Sequence, residues 1–104
     1  MAQYDVHRNA DRDTARAFPY IVDVQSDLLR HLDTRLVVPL GRLSAGFPPI
    51  GRLTPKVDFE GEGLLFLVNH AVSIPRAALG PAVGTLEPGR AELLGAIDFL
   101  LTGV

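Results

Sequence analysis

The sequence predicts a mainly β fold of the α+β class: a small antiparallel barrel with one C-terminal helix packed against it. Three observations lead there. Up to Gly84, short runs rich in β-branched and aromatic residues alternate with Gly-, Pro- or charge-rich breaks. From Leu86 the apolar spacing becomes helical and stays so to the last residue. A length of 104 residues with 47% apolar side chains suits one core, and no repeat or linker divides residues 1–104 into more than a single domain.

Taken in order, Gln3 to His7 alternates polar and apolar, with Tyr4 and Val6 on one side, and reads as a short first strand. Arg8 to Arg16, RNADRDTAR, carries mixed charge and almost no apolar side chain, which is the pattern of an exposed hairpin loop. Phe18 to Val24 is a second strand, with Pro19 near its start where a missing N–H is tolerated. Asp27 to Leu32 has room for a single turn, and Arg35 to Leu40 is a third strand that Pro39 places at an edge or a bend. Gly41 to Thr54 reads as an irregular loop. Lys56 to Phe59 and Leu64 to Asn69 form a hairpin around Glu60-Gly61-Glu62-Gly63, and the second of these strands, apolar on both faces, belongs centrally in the sheet. Ser73 to Arg76 is extended, and Ala77 to Gly84 reads as a turn or a single helical turn. Leu93, Ala96, Ile97, Leu100, Leu101 and Val104 then fall on one helical stripe, with Pro88 suited to the first turn and Gly103 to the left-handed residue past the end.

Composition excludes several function classes. The net charge of −2 and the scattering of nine Arg and one Lys leave no basic patch, so no direct binding of nucleic acid is expected. With no cysteine there is no disulfide and no thiolate-held metal. MAQYDVHRNADRD lacks the apolar core of a signal peptide, and the longest apolar run, Leu64 to Val68, is far short of a membrane span. A cytoplasmic protein with no membrane association is the expectation.

Nor do the residues assemble into an active site. His7, His31 and His70 lie far apart without a ligand-type pairing, so no metal or other cofactor is expected. Ser26 has Asp23, Asp27 and His31 nearby, yet polar residues at a strand end commonly cap the next turn. Glu60 and Glu62 sit on a hairpin tip, where both carboxylates are solvated and nothing splits their pKa values. Gly61-x-Gly63 leads into a strand, whereas a phosphate cradle needs a helix there. The protein is expected to act by binding and not as an enzyme.

Two stretches carry a resemblance. Tyr20-Ile21-Val22-Asp23-Val24-Gln25-Ser26-Asp27-Leu28-Leu29, followed by Arg35-Leu36-Val37-Val38-Pro39-Leu40, is similar to the CcdB family of toxins from bacterial toxin–antitoxin modules. The likeness runs on through Ser73-Ile74-Pro75, Leu79-Gly80 and Val83 to Ala96-Ile97-Asp98-Phe99-Leu100 and the closing Gly103-Val104, and is weakest in 8–16 and 41–54. It implies an SH3-like barrel acting as a two-fold homodimer. It also implies a target, the A subunit of DNA gyrase, which the toxin traps on cleaved DNA, and a neutralising CcdA-like antitoxin whose disordered tail folds onto the toxin.

Carried over by position, the resemblance assigns gyrase contact to Thr102, Gly103 and Val104, with Asp98 and Leu101 on the same helix surface. Leu28 and Leu29 match a pair of isoleucines beside it. Where the best-known members have a Trp this chain has Thr102, and where they have an Asn it has Asp98. The loop containing Arg8, Asp11, Arg12 and Arg16 corresponds to one that helps receive the antitoxin. Plain packing competes at several positions: Leu101 and Val104 lie on the stripe that faces the barrel, and Gly103 caps any helix. Phe99 lies off that stripe and calls for a contact, most simply with a dimer partner. Two other functions stay open, an endoribonuclease toxin on the same barrel and a retasked homologue that binds only its antitoxin.

Overall fold

The computed structural model describes residues 2–103. Seven strands and one helix follow in the order β1 (Asp5–Arg8), β2 (Tyr20–Asp23), β3 (Thr34–Arg42), β4 (Lys56–Phe59), β5 (Glu62–Phe66), β6 (Val72–Pro75), β7 (Ala82–Thr85) and α1 (Arg90–Thr102). All strand pairs are antiparallel. The sheet runs β4-β5-β3-β2-β1-β7, with β6 also on β3, and curls into a half-barrel that α1 closes. No helix among the described residues is long and apolar enough to cross a membrane.

The core follows from β alternation. Val6, Val22 and Val38 face one another across β1, β2 and β3, and all three are completely buried. Leu40 pairs with Phe66 in the next row, and Leu64 lies on the same inner face. Tyr20 meets Phe59 edge to face at 4.8 Å. Leu93 and Ala96 of α1 complete this interior.

Several elements differ from the sequence reading. The first strand begins at Asp5 because Tyr4 adopts a left-handed φ of 69°. That strain persists because the surroundings over-determine it: the Tyr4 N–H donates to the Asp23 carbonyl, its carbonyl accepts from Leu86, and its ring is buried. β3 is not an edge strand. It pairs with β2 on one side, and with β6 then β5 on the other. Pro39 falls where β6 gives way to β5, and its carbonyl accepts from Leu67 at 3.1 Å, so the absent N–H interrupts no ladder bond.

The β4–β5 turn is only Glu60-Gly61, both with positive φ, the two-residue turn whose twist matches antiparallel strands. Glu62 therefore belongs to β5, where it accepts from Arg42 Nε at 2.9 Å and is not free at a tip. β5 lies between β4 and β3, the central position its two apolar faces require, and stops at Phe66. A 3₁₀ turn at Val68–His70 follows. The strand β7 stands where a turn was expected. Its Gly84 reads as a breaker, but a Cβ there would lie 2.5 Å from the Phe59 ring, so glycine is what lets that ring pack.

Candidate functional site

VDVQSDLL owes its form to polar side chains that each bond to another part of the chain. The Asp23 carboxylate is buried against Arg35, with Nε at 2.9 Å and Nη2 at 2.8 Å, and also accepts from the Gln25 N–H. The Gln25 amide donates to the carbonyls of Leu29 and Thr34, while its oxygen accepts from Leu36 N–H at 3.0 Å. Ser26 caps the 3₁₀ turn Asp27–Leu29 by accepting from Leu28 N–H, and Asp27 accepts from Gln3 N–H at 2.8 Å. Ser26 is thus the cap of this turn. The outcome of this stapling is apolar display: Leu28 is 87% exposed and Leu29 43% exposed.

A second display surface is the end of α1. Leu93 and Ala96 dock on the barrel and Ile97 is half-buried, but the stripe then leaves the core. Leu100 is exposed, and Leu101 is 74% exposed. Leu101 therefore does not pack on the barrel. Leu94, two turns below Leu101, is exposed as well. Asp98 is exposed, and Thr102 turns back so that its hydroxyl donates to the Asp98 carbonyl at 2.7 Å. Gly103 takes a φ of 75° and its N–H closes the last turn on the Phe99 carbonyl. Val104 lies outside the described residues. The contact that Phe99 calls for comes from its own chain, since the Arg52 guanidinium lies 4.6 Å above its ring.

Gln3-Tyr4 links the two displays. Gln3 holds the 3₁₀ turn through Asp27 and Val24, and Tyr4 reaches α1. Burial pushes the Tyr4 hydroxyl up from its ordinary pKa; the nearby Arg90 charge opposes this and the Asp98 charge adds to it.

The β1–β2 loop is more ordered than its composition suggests. Asn9, which the sequence reading passed over, fastens it: its amide donates to Thr14 Oγ1 at 2.9 Å and to the Phe18 carbonyl at 2.8 Å, and its oxygen accepts from Asp11 N–H. Asp11 accepts in turn from Asp13 N–H. Of the residues assigned to this loop, Arg8 closes β1 near the Tyr20 ring, Asp11 is spent on the turn, and Arg12 and Arg16 are exposed, Arg16 giving its carbonyl to Arg42. The loop borders an apolar groove of about 400 Å³ whose walls include Phe18, Ile21, Val37, Val72 and Ile74. Only the Asn-x-Asp-x-Asp spacing, with its tendency to Asx turns, hints at the loop's order.

No curated protein matches the chain at a significant level. The model of the CcdB protein family matches residues 3–103, which covers both apolar displays, the Gln3-Tyr4 segment that links them and the fastened loop. The chain belongs to the CcdB family, a family of toxins of toxin–antitoxin modules.

Proposed function

We propose that this chain acts by binding, as a toxin that traps DNA gyrase on cleaved DNA through the gyrase A subunit, and that a CcdA-like antitoxin neutralises it. The observation that carries this reading is the pair of exposed apolar side chains, Leu28 on a turn held out by hydrogen bonds of Ser26 and Asp27, and Leu101 near the end of α1. Clusters of that kind mark contact surfaces. Leu28, Leu29, Asp98, Leu101, Thr102, Gly103 and Val104 form the gyrase-facing set. The action is cytoplasmic, where gyrase works, and needs no cofactor.

The toxin acts as a homodimer. Leu94 is exposed one turn before the half-buried Ile97 on α1, and a two-fold copy of the same face would cover it. A two-fold dimer also presents two equivalent ends to a two-fold target. The fastened loop with Arg12 and Arg16 outward, beside its apolar groove, suits a chain that folds on binding. An endoribonuclease would need a free acid–base set, whereas Asp23 and Arg35 are buried against each other.

One observation favours a second reading, a homologue that binds its antitoxin alone. Thr102 carries a short side chain folded onto its own helix, and so supplies no large anchor at that position. One assay separates the two. The intact protein and a version ending at Leu101 are compared for linear DNA formed with gyrase and ATP, with circular dichroism melting of both as a folding control. Linear DNA from the intact protein only supports the gyrase reading. Absence of linear DNA from a folded intact protein removes that reading, and tight antitoxin binding then establishes the second.

A further inference from the structure

We propose that Arg52 is a positioning residue for the target-facing end of α1, acting through Phe99. Arg52 sits on the 3₁₀ turn Gly51–Leu53, which is anchored without it. Leu53 packs on the core, Thr54 is buried and its hydroxyl accepts from Ile50 N–H at 2.7 Å, and Pro55 is buried. From that fixed base the guanidinium lies over the Phe99 ring at 4.6 Å. Among the described residues Arg52 takes part in no ion pair.

Phe99 takes part in holding the last turn. Its carbonyl receives the Gly103 N–H, so the backbone that caps Leu100, Leu101 and Thr102 hangs from the residue whose ring Arg52 covers. Between the 3₁₀ turn and α1 lies an open cleft of about 620 Å³, walled by Arg52 and Lys56 on one side and by Glu92 and Asp98 on the other. Gly95 leaves the middle of the helix bare there, with no atom within 4 Å of where its Cβ would stand. Arg52 reaches past this cleft to the ring. A planar guanidinium stacks on an aromatic face, which an ammonium does less well.

The consequence for binding rests on the gyrase reading above, so the test has one arm that does not. Four proteins are compared: the parent, Arg52→Ala, Arg52→Lys and Arg52→Ala combined with Phe99→Leu. Hydrogen exchange of the amides from Leu100 to Gly103 reads the clamp directly. Arg52→Ala is expected to speed it about two- to fivefold, the range of an exposed cation–π contact, with Arg52→Lys in between and the melting temperature lowered by no more than a few degrees. Phe99→Leu on top of Arg52→Ala should add little, because the contact has already gone. In the gyrase cleavage assay Arg52→Ala should raise the concentration for half-maximal linear DNA by about the same factor. Exchange in Arg52→Ala equal to the parent overturns the clamp whatever gyrase does. Faster exchange with undiminished trapping overturns the positioning role. A parent that traps nothing removes the gyrase reading and leaves the exchange arm to decide the clamp.

Discussion

Leu93 and Leu101 are the same residue on the same helix, yet Leu93 is 1% exposed and Leu101 74% exposed. Both lie on the apolar stripe that the sequence draws along α1. The difference is one of reach. The stripe is a property of the helix, but burial requires a surface opposite, and the barrel ends before the helix does. The helical period therefore predicts which side faces the core and not where the core stops. Along the inner face of α1 apolar character serves stability through Leu93, Ala96 and Ile97; beyond Ile97 the stripe stands in solvent.

The largest effect is expected at the buried ion pair. Arg35→Ala leaves the Asp23 carboxylate buried without its partner, which costs about 3–5 kcal/mol. Chemical unfolding should show a midpoint far below that of the parent, and a near-parent midpoint would show that water reaches Asp23. Leu93→Ala follows, at about 2–5 kcal/mol for a cavity between α1 and the sheet. Leu101→Ala inverts the pattern. Its unfolding free energy should stay within about 0.5 kcal/mol of the parent, while gyrase trapping falls. If Leu101→Ala melted as low as Leu93→Ala, the two halves of the helix would not differ in role.

The same contrast explains what is legible in the sequence. β2 and β3 can be read from their valine-rich runs because inner-face pairing is a local, period-two property, and Val22 and Val38 do pair in the core. Gly103 is legible because a helix end asks for a left-handed residue whatever lies around it. β7 is not, because Gly84 looks like a breaker until the Phe59 ring is placed on it. Pro39 misleads for a similar reason: whether it sits at an edge depends on which strands flank β3. Within the candidate site, VDVQSDLL is visible as a motif, but its work as a staple depends on Gln3, Thr34 and Leu36. The groove beside the β1–β2 loop is invisible, since Phe18, Val37 and Val72 come together only in the folded chain.

The smallest expected effect joins the two regions. Tyr4 has its ring in the core and its hydroxyl within range of Asp98. Burial, and secondarily the Asp98 charge, raise its pKa in the folded protein despite the opposing Arg90 charge, so the folded chain holds the phenolic proton more tightly than the unfolded chain does. The stability this provides is complete below the unfolded value of about 10 and is lost as pH rises through the higher folded value. Urea unfolding of the parent should therefore weaken above about pH 10, and Tyr4→Phe should remove that part of the decline. Asp98→Asn sharpens the point. Without the carboxylate the folded value moves down towards the unfolded one, and the alkaline loss becomes smaller. A decline unchanged in Asp98→Asn but abolished in Tyr4→Phe would assign the whole effect to burial, and the charge at the exposed end of α1 would then be set apart from the core on which its first half rests.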